Sequence, residues 1–244
     1  MKKLLALALM LFTSPAHADC VVLLHGLSRT ENSMLVMQET LEFHGYRVVN
    51  DGYPSNAAPI ADLVAHVGRA AARCGRLRTH FVTHSMGGIL VRAWLRNNRP
   101  VRMGRVVMLA PPNHGTEVVD NLAQFELLPD LLDFLHGPAA RELGTDPDSV
   151  PNRLPPVDYE LGVIAGNRAL SPLGPIMIEG ANDGTVSVAS TRVEGMTDHI
   201  VLPATHTMMM VNPIVLAEVL EFLRHGTFDH GITLANALRK LANP

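Results

Sequence analysis

Thr79-His80-Phe81-Val82-Thr83-His84-Ser85-Met86-Gly87-Gly88 decides how this chain is read. An apolar run leads straight into a serine and then into paired glycines. Residues 79–83 have the character of a buried strand, and the stretch from Gly87 to about Asn97 that of a helix. The turn between them is close to Gly-x-Ser-x-Gly, a tight elbow that lifts a serine hydroxyl beside a helix N-terminus. Small residues are required there because strand and helix backbones pass closely. Thr83 departs from the pattern, since it sets a branched side chain where the motif has glycine.

Working outward, strands and helices alternate. Val21–Leu24 is an all-apolar run suited to a strand covered on both faces. A helix is expected over 31–43, a strand over 46–49, and a helix over 59–73 with Ile60, Leu63, Val64 and Val67 at helical spacing. Val106–Leu109 supplies a fourth strand, 162–165 or 175–178 a fifth, and Ile200–Leu202 a sixth. Asn212-Pro213 caps a last helix from Ile214 to about Arg224. This alternation implies a mostly parallel sheet of about six strands flanked by helices, with its chemistry at the carboxyl ends of the strands. Residues 117–156 are too long for an ordinary connection and carry Leu and Phe among acidic residues. They are expected to form a helical cap over those strand ends.

The composition agrees with one globular domain. The chain has 244 residues, 47% of them hydrophobic and 18% charged. A formal net charge of −3 gives nothing to a phosphate-bound nucleic-acid partner, and three Tyr, one Trp and seven Phe offer little for base stacking. Two cysteines exclude a disulfide-dense miniprotein. The 12 histidines fall in no His-Glu-x-x-His or carboxylate cluster, so neither a catalytic metal nor a cofactor is expected.

The first residues read as an export signal. Lys2-Lys3 precede nine apolar residues, Leu4–Phe12, and then Ala16-His17-Ala18, a small-x-small triplet. The expected division is a signal peptide over 1–18 and a mature domain over 19–244, exported to the periplasm or beyond. Asp19, rather than a small residue, precedes Cys20, so lipidation is not expected.

A serine hydroxyl needs a base, and in the chain order Ser, Asp, His two downstream residues qualify. Asp183 lies in Gly180-Ala181-Asn182-Asp183-Gly184, after the strand expected near Ile176–Glu179, and His206 lies in Ala204-Thr205-His206, after the sixth strand. Asp158 and Asp198 are rival acids, and His199 and His225 rival bases. His25-Gly26-Leu27 follows the first strand. The backbone N–H of Leu27, with that of Met86 after the serine, would stabilise an oxyanion, while His25 itself is expected to be structural.

These motifs resemble the α/β-hydrolase superfamily, and within it the secreted lipases and esterases. Val21–Leu27, Thr83–Gly88, Ala110–Thr116, Asn182–Val186 and Thr205-His206 carry the resemblance, which runs from Val21 to about Phe228. It implies a minimal α/β-hydrolase fold, a serine hydrolase acting on carboxylic esters, and a small-molecule or lipid ester as partner, with transient contact to a lipid surface. The superfamily also contains thioesterases and acyltransferases, and a catalytically silent binding module is the reading from another class. In the strand order of that fold the strands after Cys20 and Cys74 are neighbours, which implies a disulfide between the two.

Overall fold

The computed structural model describes residues 19–124, 137–170 and 177–244, with the side chains of 122–124 left aside. The expected signal peptide, the central stretch of the expected cap (125–136) and residues 171–176 lie outside the described residues.

Six strands form one all-parallel sheet: β1 (Cys20–Leu24), β2 (Arg47–Asn50), β3 (Arg78–His84), β4 (Arg102–Leu109), β5 (Leu161–Gly166) and β6 (Asp198–Leu202). Their spatial order is β2-β1-β3-β4-β5-β6. Eight helices accompany them among the described residues: α1 (Leu35–Phe43), α2 (Ile60–Arg73), α3 (Met86–Leu95), α4 (Glu117–Gln124), α5 (Pro138–Arg141), α6 (Val150–Arg153), α7 (Pro213–His225) and α8 (Leu234–Ala242). None of the described helices is long and apolar enough to cross a membrane.

Successive strand residues point to opposite faces, and both faces are apolar. Val22 and Leu24 of β1 join Phe81, Val106 and Val163 in a core shared with Ile60, Leu63 and Val67 of α2 and Ile89 and Leu90 of α3. Val21 and Leu23 join Val82, Val107 and Ile164 in a second core, closed by Met37 and Leu41 of α1 and Val215, Val219 and Phe222 of α7. All five residues of β1 are therefore buried, which explains its unbroken apolar run.

The chain leaves β1 toward β2 and then returns past β1 to β3. Connections depart in opposite directions from these two neighbours, so a crevice opens between their carboxyl ends. His25–Leu27 and Ser85 both sit at this switch point. At the other end of the sheet Cys20 and Cys74 are joined by a disulfide with Cα atoms 5.7 Å apart, as the resemblance implied. Cys20 pairs with Thr79 in the β1–β3 ladder, so the link holds the end of α2 to the sheet edge where β3 begins.

Three expectations need correction. Of the two stretches offered for the fifth strand, 162–165 lies in β5 beside β4, and the described residues 177 and 178 of the other belong to no strand. Asp183 thus lies in the long connection from β5 to β6, and the described residues 177–179 that precede it form no strand. The helix expected over 31–43 opens as a 3-10 turn at Glu31–Met34 before α1. The C-terminal helix α8 has no counterpart among the expected elements, because its sequence between Thr233 and Pro244 is short and only half apolar. At α7 the reading of the cap stands: the Asn212 side chain accepts from the Ile214 N–H at 2.9 Å, and Gly226 ends the helix at φ +79°.

Candidate active site

The elbow is strained where the motif requires. Ser85 has φ 53° and ψ −126°, a region that residues with a side chain rarely occupy, and it is 9% exposed. Two hydrogen bonds hold it there: its N–H donates to the Leu109 carbonyl at 2.9 Å, and its carbonyl accepts from the Gly88 N–H at 2.9 Å. Gly87 explains the need for small residues. A Cβ added to it would lie 2.6 Å from the Leu24 carbonyl oxygen and 2.8 Å from that of His25. Helix α3 can therefore start against the end of β1 only over a glycine.

Thr83 is housed by the second glycine. It is fully buried, and its Oγ1 lies 3.3 Å from the place a Cβ on Gly88 would take. Among the described residues that hydroxyl has no hydrogen-bond partner.

The connection from β5 to β6 brings the acid to the base. Asp183 is 2% exposed, and its Oδ1 accepts from the N–H groups of Thr185 at 3.0 Å and Val186 at 2.8 Å. Its Oδ2 lies 2.8 Å from Nδ1 of His206. A carboxylate with its other oxygen already filled by two N–H groups is an acceptor, so Nδ1 carries the proton and Nε2 is left as the basic nitrogen. The backbone makes the same link, since the His206 N–H donates to the Asp183 carbonyl at 3.0 Å. Gly166 sets the position: a Cβ there would meet Cβ of Asp183 at 2.8 Å and the Ala204 carbonyl at 2.4 Å. The pair therefore rests on the carboxyl ends of β5 and β6, with His206 opening a 3-10 turn, His206–Val211.

His84 joins the base to the elbow. Its Nε2–H donates to the His206 carbonyl at 3.0 Å, and the two rings lie 4.7 Å apart. Burial, and then the neighbouring His206, push its pKa well below the usual histidine value, so it stays neutral.

The rival residues are engaged elsewhere. Asp158 is exposed and pairs with Arg99. Asp198 accepts from the Phe228 N–H at 2.8 Å and meets His230 at 2.9 Å. His199 bonds Oγ1 of Thr191 at 2.9 Å, and burial, then Arg192, push its pKa down to about 4. His225 is exposed beside Glu221.

Of the two expected oxyanion donors, Met86 directly follows the serine and Leu27 directly follows Gly26. Met86 is the first residue of α3, whose leading N–H groups lack intrahelical acceptors. Gly26, preceding Leu27, packs on the elbow, because a Cβ on it would lie 3.0 Å from both Ser85 Cβ and His84 Nδ1.

Arg92 was not anticipated. This buried arginine of α3 donates to the Asn113 carbonyl at 3.2 Å, to Asn113 Oδ1 at 3.1 Å and to the Leu154 carbonyl at 3.3 Å. Asn113 in turn donates to the Thr191 carbonyl at 2.8 Å. Helix α3 is thereby tied to the loop after β4 and to the segment that follows Asp183. Of the expected cap, α4 to α6 are described. The Asp120 carboxylate accepts from the Thr145 N–H at 3.1 Å, and Glu142 Oε2 accepts from the Ile60 N–H at 2.6 Å.

No family model matches the chain, and no curated protein matches it in sequence. Solved structures do match it in shape. The mature lipase BlEst2 of Bacillus licheniformis is 21% identical, with a TM-score of 0.65 over 86% of this chain and 93% of that one. The metagenomic carboxyl esterase MGS0156 is 17% identical, with a TM-score of 0.62 over 92% of this chain and 75% of that one. Lipase B of Aspergillus fumigatus is 14% identical, with a TM-score of 0.64 over 90% of this chain and 56% of that one. With the six-stranded parallel sheet, this likeness gives the chain the α/β-hydrolase fold.

Proposed function

We propose that the chain is an exported serine hydrolase that cleaves carboxylic esters through an acyl-serine intermediate. The observation that carries the reading is the Asp183–His206 pair, coupled through His84 to a serine held at positive φ on a strand-to-helix elbow. In this reading Ser85 Oγ attacks the ester carbonyl while Nε2 of His206 takes its proton. The N–H groups of Leu27 and Met86 receive the oxyanion. The intermediate collapses, and the same proton leaves with the alcohol. Water, deprotonated by His206, then releases the acid and restores the serine. Asp183 keeps the imidazole in the required tautomer and stabilises its charged form.

Lipases and esterases among the structural neighbours support an ester as substrate. The disulfide supports an oxidising compartment, in keeping with residues 1–18 as an export signal. In the same reading the cap, 117–156, supplies an apolar wall for the acyl chain. Each buried methylene is worth about 0.8 kcal/mol, so kcat/KM rises with acyl length until the pocket is full.

Steady-state hydrolysis of nitrophenyl esters from acetate to octanoate tests the reading. Butyrate to octanoate are expected to exceed acetate. Absence of turnover on the whole series by the folded, oxidised protein would overturn it.

A further inference from the structure

We infer that Tyr53 is a positioning residue for the oxyanion hole, holding the Leu27 N–H in place through His25; this rests on the ester-hydrolase reading above. Tyr53 lies three residues beyond β2 and is buried, though nothing in its sequence neighbourhood marks it as functional.

It grips His25 three ways. Its ring stacks on the imidazole, with centroids 4.1 Å apart and planes within 10°. Its hydroxyl donates to the His25 carbonyl at 2.5 Å. Its N–H donates to Nε2 of His25 at 3.4 Å.

The other ring nitrogen does the orienting. Nδ1 of His25 lies 2.9 Å from the Gly26 carbonyl oxygen. That oxygen can only accept, so Nδ1 carries the proton and Nε2 offers the lone pair that Tyr53 N–H meets. Both nitrogens are thus used by a neutral ring, and burial, the largest influence on it, lowers the His25 pKa in the same sense.

The Gly26 carbonyl and the Leu27 N–H belong to one planar trans peptide and point in opposite directions. Fixing the carbonyl therefore fixes the donor. This same peptide follows the Gly26 that packs 3.0 Å, in terms of an added Cβ, from Ser85 Cβ. An oxyanion hole acts because its donors are already aimed when charge develops. Tyr53 and His25 supply that aim for Leu27.

Tyr53→Phe keeps the ring and removes only the hydroxyl bond. Deleting a donor outright costs about 100- to 1000-fold, so loosening one is expected to cost about tenfold in kcat. KM should stay within about twofold, because the ester ground state gains little from the hole. A boronic acid, which forms a tetrahedral anion on the serine, should bind Tyr53→Phe about tenfold more weakly. Tyr53→Leu, which also loses the stack, should fall further, and circular dichroism serves as the control for folding. An unchanged kcat and boronate affinity in Tyr53→Phe beside an active wild type would overturn the inference and leave the ester-hydrolase reading standing. An inactive wild type that binds no boronate would overturn both.

Discussion

Asp183 holds His206 at two points, with Oδ2 of the carboxylate 2.8 Å from Nδ1 of the ring and its carbonyl 3.0 Å from the His206 N–H. Asp183 therefore places His206 through both its side chain and its backbone.

Asp183→Asn separates the two roles. The backbone link survives, but an amide in place of the carboxylate cannot impose the Nδ1–H tautomer or stabilise imidazolium. Turnover should fall by about 10³- to 10⁴-fold. Asp158→Asn, at an exposed ion pair, should stay near wild type. Initial rates of both variants on nitrophenyl butyrate check this, and equal losses would remove Asp183 from the proposed role.

Thr83→Val should stabilise the protein. The threonine hydroxyl is buried without a partner among the described residues, whereas in the unfolded chain water satisfies it. Valine has nearly the same shape and no such requirement, so a gain of about 1 kcal/mol is expected. For a chain of this size that raises Tm by about 2–4 °C, which calorimetry can resolve.

Gly87→Ala should do the reverse. The added methyl would meet two carbonyl oxygens of the β1 end, and neither can retreat without moving a central strand. A loss of about 1–3 kcal/mol is expected in urea unfolding. Gly231→Ala, where the nearest atom lies 3.6 Å away on the Asp229 side chain, is the matched control and should be close to neutral.

Glu218 gives a pH signature. Burial pushes its pKa up to about 7, against the opposing N–H of Asp229. A carboxyl whose pKa is raised by folding binds more protons in the folded state between its unfolded and folded values. It therefore costs stability increasingly as pH rises from about 4.5 to about 7, and in full above that. Glu218→Gln should gain on wild type across this window, by more at pH 8 than at pH 5. A difference in unfolding free energy that does not change with pH would contradict this.

The sheet was legible because its central strands are buried on both faces, and unbroken runs such as Val21–Leu24 betray that condition directly. Ser85 was legible because the elbow needs glycines at fixed spacing. His206 and Asp183 followed from chain order, but the described residues 177–179 before Asp183 belong to no strand. An apolar run of that length cannot announce whether it joins a sheet, and β5 had taken the place beside β4. Tyr53 and Arg92 carried no local signal. Their contacts are with partners 28 and 21 residues away, His25 and Asn113, which only the folded chain brings together.

The central claim is that Ser85 is a nucleophile activated by His206, and covalent labelling tests it most directly. The folded, oxidised protein is treated with a fluorophosphonate, which transfers its phosphonyl group to an activated serine with loss of fluoride. Its peptides are then mapped by mass spectrometry. The account predicts one adduct, on Ser85, abolished in Ser85→Ala and strongly slowed in His206→Ala, with ester turnover lost in parallel and circular dichroism unchanged. Ester hydrolysis retained by Ser85→Ala, or an adduct on another residue that accounts for the lost activity, would contradict it.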